Sequence, residues 1–117
     1  MSCKNKSIVI ESCSFSENKN GIIFTASSAT SIIKKCVIER SEERGIVLRP
    51  ESECLLFENQ ISNSVVGLSV FHNTTIGLSN NIISNNIRHG VVIRYDANVD
   101  FITGNEIKNN GGTGTLV

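Results

Sequence analysis

Two aspartates, two histidines and four cysteines are the side chains of this 117-residue chain best equipped for chemistry. Asp96 and Asp100 are the whole aspartate complement, and general acid–base hydrolysis needs two carboxyl groups held a fixed distance apart. No Asp-Asp pair occurs, and Arg88-His89-Gly90 is the nearest approach to a catalytic phrase. Cys3, Cys13, Cys36 and Cys54 form no C-x-x-C pair, so a metal set would have to recruit His72 and His89. The densest charge, Glu42-Glu43-Arg44 and Glu51 with Glu53, reads as solvated turn surface. Arg49 and Arg94 could meet an acidic sugar or a partner's carboxylate, but they read as solubilising edge charges with Phe71 between them. The chain is expected to be no enzyme, with no catalytic residue, no metal and no cofactor.

A regular beat runs beneath these residues and must position them. Gly21-Ile22-Ile23-Phe24 is followed by Gly45-Ile46-Val47-Leu48, Gly67-Leu68-Ser69-Val70, Gly90-Val91-Val92-Ile93 and Gly114-Thr115-Leu116-Val117, with glycines 24, 22, 23 and 24 residues apart. Ahead of each glycine stands a Cys or Asn with a large apolar residue two positions on. The pairs are Cys13 with Phe15, Cys36 with Ile38, Asn59 with Ile61, Asn81 with Ile83 and Asn105 with Ile107. Five positions after each anchor come Asn18, Ser41, Ser64, Asn86 and Asn110, and three positions before it Ile10, Ile33, Leu56, Leu78 and Ile102. Apolar residues at i and i+2, flanked by Gly, Asn and Ser, indicate short strands and turns. A meander of hairpins gives no reason for a landmark to recur once in about 23 residues, whereas a coil of parallel strands does.

The sequence therefore predicts an all-β fold: a single-stranded right-handed parallel β-helix of five rungs over residues 1–117. The rungs are expected near 7–29, 30–52, 53–73, 74–97 and 98–117, as one domain or a piece of a longer solenoid. Handedness follows the chirality of parallel crossovers. Rungs about 4.8 Å apart stack like on like, so Asn59, Asn81 and Asn105 should form an amide ladder, as should Asn86 with Asn110 and, at the same slot, Asn18. Cys13 and Cys36 take the ladder slot in the first rungs as reduced, buried fillers, in poor geometry for a disulfide. The glycines are expected to provide a positive φ or a tight bend.

The unit resembles the parallel β-helix repeat of the pectin-lyase-like superfamily. It is similar to repeats of the form N-x-I-x-x-N-x-x-x-G-I-x-L in carbohydrate-binding and sugar-hydrolase domains, NosD-like proteins and F-box only protein 11. The resemblance implies the fold from about Ser7 to Val117 and leaves the activity open. Polysaccharide lyases and hydrolases of this kind carry carboxylate clusters between long loops, and this chain has neither. His89 falls at a slot filled elsewhere by Asn20, Arg44, Val66 and Thr113, which suits an exposed turn.

Charge balance, 11 basic against 11 acidic residues, gives no field to attract nucleic acid. No apolar run is long enough for a membrane span. Without a signal-peptide core, and with unpaired cysteines, the chain reads as cytoplasmic unless it is a fragment of a longer secreted protein. Two outward columns are unexpectedly apolar: Ile23, Val47, Ser69, Val92 and Leu116, and Val9, Ile32, Leu55, Gly77 and Phe101. They are the expected interaction face. Self-association through these columns or through open coil ends is expected. The leading function is a non-enzymatic protein-interaction or scaffolding module. The alternatives are a carbohydrate-binding module that takes a polysaccharide and a truncated, inactive hydrolase or lyase.

Overall fold

The structure is a computed structural model that describes residues 8–24, 30–94 and 96–116. Three short strands make each turn of the coil. The first turn holds β1 (Val9–Glu11), β2 (Ser14–Ser16) and β3 (Asn20–Phe24), and the second β4 (Ser31–Lys34), β5 (Val37–Glu39) and β6 (Arg44–Leu48). The third holds β7 (Glu53–Phe57), β8 (Gln60–Ser62) and β9 (Val66–Val70), and the fourth β10 (Thr75–Ser79), β11 (Ile82–Ser84) and β12 (His89–Ile93). The fifth holds β13 (Asn98–Thr103), β14 (Glu106–Lys108) and β15 (Thr113–Leu116). Every strand pairs in parallel with its counterparts above and below, which builds three five-stranded sheets. Sheet 1 is β1-β4-β7-β10-β13, sheet 2 is β2-β5-β8-β11-β14 and sheet 3 is β3-β6-β9-β12-β15. No helix occurs among the described residues.

The period exists because each strand turns one or two apolar side chains into a shared interior. Ile33, Leu56 and Leu78 line sheet 1, Ile38, Ile61 and Ile83 line sheet 2, and Ile46, Leu68 and Val91 line sheet 3, all at most 1% exposed. Each contributes about 1.5–3 kcal/mol by leaving water, and each rests on its own copy one turn away. Exposure returns at the last rung, where Ile102 is 48% exposed.

The corners carry a rule invisible in the hydrophobic pattern. The residue before each ladder position sits in the left-handed region: Ser12, Lys35, Glu58, Asn80 and Gly104 have φ of 56, 55, 56, 57 and 66°. Glu17, Arg40, Asn63, Asn85 and Asn109 repeat this at the second corner, with φ of 59, 51, 55, 57 and 56°. The turn is reinforced by a backbone bond to the next rung, such as Lys35 N–H to Phe57 O (3.0 Å) and Glu58 N–H to Ser79 O (3.0 Å). Lys, Arg and Glu bear this conformation at a cost of about 1–2 kcal/mol, which Asn and Gly largely avoid. Glu58→Asn, which copies the residue of the next rung, is expected to raise stability by about 0.5–1 kcal/mol in urea denaturation.

Of the two uses expected of the repeat glycines, a positive φ or a tight bend, the close-packed bend is the one found. Among the described residues Gly104 alone of the glycines has φ > 0. At Gly45 a Cβ would lie 2.6 Å from the carbonyl oxygen of Gly67 and 2.7 Å from Cγ2 of Ile61. Gly21, Gly67 and Gly90 show the same 2.6 Å approach to the oxygen of the next rung's glycine. The bend is so tight that backbone occupies the space a side chain would need.

Candidate functional site

Polar side chains inside the coil form two ladders of hydrogen bonds, which leave the buried Oγ atoms of Ser41 and Ser52 without a partner among the described residues. Asn81 Oδ1 accepts from both the backbone N–H and the Nδ2 of Asn59 (3.0 Å each), and Asn105 Oδ1 accepts likewise from Asn81 (2.9 and 3.0 Å). Each Nδ2 also donates to a carbonyl at the end of sheet 1: Asn59 to Ile33, Asn81 to Leu56 and Asn105 to Leu78. The first ladder extends to rung two, where Cys36 N–H donates to Asn59 Oδ1 (3.0 Å). At the second corner Ser41 N–H donates to Ser64 Oγ, Ser64 N–H to Asn86 Oδ1, and Asn86 to Asn110 Oδ1 through both N–H and Nδ2. Asn110 Nδ2 reaches back to Ile83 O (3.3 Å). Asn18 differs: it is exposed, and its backbone carbonyl accepts from Glu42 N–H (2.8 Å). These amides hold the corners together and offer nothing to a ligand.

A third corner escaped the sequence reading. Buried Ser31, Ser52 and Thr74 occupy it, and Glu51 and Asn73, just before two of them, have φ of 67 and 55°. Thr74 Oγ1 donates to Arg49 O (2.9 Å), and Ser31 Oγ accepts from Ile8 N–H (3.1 Å). The available signal was the small polar type at one period, but it is shorter and less regular than the Asn ladder.

The cysteines divide. Cys36 and Cys54 are buried, and burial pushes the Cys36 thiol up and that of Cys54 up to about 12. Cys13, expected to be buried, is exposed, because no described rung lies beyond it to cover the slot. Its Sγ donates to Glu11 O at 3.3 Å. Cys3 and the side chain of Leu116 lie outside the described residues. Thiol mapping with iodoacetamide is expected to label Cys13 in the native protein and Cys54 only after unfolding, since alkylation requires the thiolate.

The two outward columns also behave differently. Val47 and Ser69 are only 1% and 2% exposed, and Ile23 and Val92 are half-buried, so this column of sheet 3 is closed rather than open. The column on sheet 1 stacks Val9, Ile32, Leu55, Gly77 and Phe101 in register. Val9 is 59% exposed. Asp100 has no partner in β10 and forms a bulge that sets Phe101 opposite Gly77. A Cβ on Gly77 would come within 2.5 Å of the Phe101 ring and 2.9 Å of Leu55 Cδ2, so the ring lies across the glycine. It also stacks on Phe57, with centroids 6.2 Å apart. The result is a continuous apolar strip over five rungs, with Phe57 as a member the column count had missed.

At the far end of sheet 3, Arg49, Phe71 and Arg94 follow β6, β9 and β12 on successive rungs. Their N–H groups donate to Phe24, Leu48 and Val70 one turn earlier. The guanidinium carbons of Arg49 and Arg94 stand 5.6 and 5.3 Å from the centroid of the Phe71 ring. A shallow cavity of about 250 Å³ lies at the opposite end of the sheet, lined by Glu43, Arg44, Val65, Val66 and Arg88. The groups suited to hydrolysis are dispersed: His89 opens β12 in sheet 3, Asp96 lies in the turn after that strand, and Asp100 sits in the bulge of sheet 1.

A family model described as a right-handed beta helix region matches residues 2–117. Comparison with curated proteins and with solved structures gives no match. The likeness to NosD-like and F-box only protein 11 repeats therefore rests on the sequence motif alone. A match running nearly end to end agrees with three parallel sheets wound at one period, and the chain belongs to the right-handed β-helix family.

Proposed function

We propose that the chain is a non-enzymatic protein-interaction or scaffolding module that docks through the outer face of sheet 1. The supporting observation is the strip in which Phe101 bridges Gly77 and joins Leu55 and Phe57 to Ile32 and Val9. A solvated sheet face normally carries polar side chains at such positions, whereas docking rewards the removal of apolar ones from water. Stacked sheets supply a rigid platform, so little conformational entropy is lost on binding. A second copy of the chain presents the same strip, and pairing about a twofold axis would cover both.

The carbohydrate reading is weaker because sugars favour an open aromatic face. Phe57 and Phe101 face each other, and Phe71 has guanidinium groups over it. Size-exclusion chromatography with light scattering tests the proposal. Concentration-dependent dimers are expected, converted to monomers by Ile32→Lys with Leu55→Lys while the circular dichroism spectrum is retained. A monomer at all concentrations would reject pairing through the strip, and a specific hit on a glycan array would reverse the ranking.

A further inference from the structure

We propose that Arg49, Phe71 and Arg94 form a second recognition site, which takes an extended acidic segment of a protein partner by two of its carboxylates. It uses different side chains from the strip on sheet 1, so either proposal can fail alone.

The three residues leave the same outer position on consecutive rungs, which puts Phe71 between the two arginines. Each guanidinium is held near the ring, at 5.6 and 5.3 Å from its centroid. A cation stacked on a π face keeps its N–H edge free for hydrogen bonds, and the stacking limits the side-chain freedom that a ligand would otherwise have to freeze. Both arginines are exposed, and neither is ion-paired among the described residues. Lys19, Lys34, Arg40 and Lys108, by contrast, each have a carboxylate neighbour. Two rung spacings set the cations roughly 10 Å apart along the coil axis.

These features select the ligand. Planar forks match carboxylates bidentately, so the anchors are two acidic groups. Alternate side chains of an extended peptide recur about every 6.7 Å on one face, a separation two long arginines can bracket. A sugar ring or nucleobase would need an open aromatic face, and the guanidinium groups occupy that of Phe71.

The probe is a fluorescein-labelled octapeptide of alternating Glu and Val, followed by anisotropy with the whole chain at low and at physiological salt. The expected result is binding at least about tenfold tighter than that of the Gln–Val counterpart, and weakening as salt rises. Arg49→Gln and Arg94→Gln should each reduce affinity about fivefold, and the double variant should bind the two peptides alike. Phe71→Leu tests the preorganisation: it keeps both charges and should still weaken binding. Lys19→Gln, at a paired surface lysine, should change nothing. Circular dichroism of each variant separates lost binding from lost folding. Equal affinity for the Glu and Gln peptides, no binding up to about 1 mM, or an unaltered double variant would overturn the proposal. Tighter binding of an acidic oligosaccharide than of the peptide would overturn the choice of a protein segment.

Discussion

Asn81→Ala is expected to destabilise the protein by about 3–5 kcal/mol, measured by urea denaturation. Asn81 is fully buried, so no solvent can replace what its amide supplies. Its Oδ1 accepts two bonds from Asn59, and its Nδ2 donates to Leu56 O. Truncation orphans the Asn59 N–H and the Leu56 carbonyl inside the coil and leaves a void beside them. Each buried, unsatisfied group costs about 1–3 kcal/mol. Asn105→Ala removes the same chemistry at the half-buried last rung, where water reaches the site. That variant should lose only about 1 kcal/mol. Equal effects at the two positions would mean that the ladder does not support the interior.

The second large effect is a single added methyl group. Gly67→Ala would place Cβ 2.6 Å from Gly90 O, 2.8 Å from Ile83 Cγ2 and 2.9 Å from Asn86 Nδ2. The first of these is backbone in the adjacent rung, fixed by the parallel ladder, and the third belongs to the second amide ladder. Neither yields without breaking hydrogen bonds, so a cost of about 3 kcal/mol is expected. Gly114→Ala is the internal control. Its nearest neighbour is Ile107 Cγ2 at 3.3 Å, a side-chain atom at the partly buried end of the coil. A change below about 1 kcal/mol is expected there. Thermal denaturation of the two variants side by side measures the difference.

The repeat made the coil legible because every rung solves the same packing problem with nearly the same residues. Ile38, Ile61 and Ile83 mark sheet 2, and Asn59, Asn81 and Asn105 mark the corner, since an inward amide survives only where its neighbour satisfies it. Other features were hidden for physical reasons. The left-handed corners fall on Lys35, Arg40 and Glu58, residue types without a preference for that conformation, so tertiary stacking overrides local propensity there. The exposure of Cys13 and the closure around Val47 depend on what neighbours each side chain, which period alone does not specify. Phe101 could be assigned to its column, but its reach across Gly77 to Phe57 depends on the bulge at Asp100. The Arg49–Phe71–Arg94 stack shows the same limit. Register placed the three residues together, and only geometry revealed that the ring holds the cations rather than separating them.

Parallel stacking of like residues one turn apart holds the coil together, and a nuclear Overhauser spectrum of the isotope-labelled protein tests it most directly. It predicts contacts from the Asn59 amide to the Asn81 side chain and from the Asn81 amide to that of Asn105, with the short cross-strand contacts of parallel ladders throughout. Strong Hα–Hα peaks between neighbouring strands, the signature of antiparallel pairing, or the absence of any contact between these asparagines would contradict it.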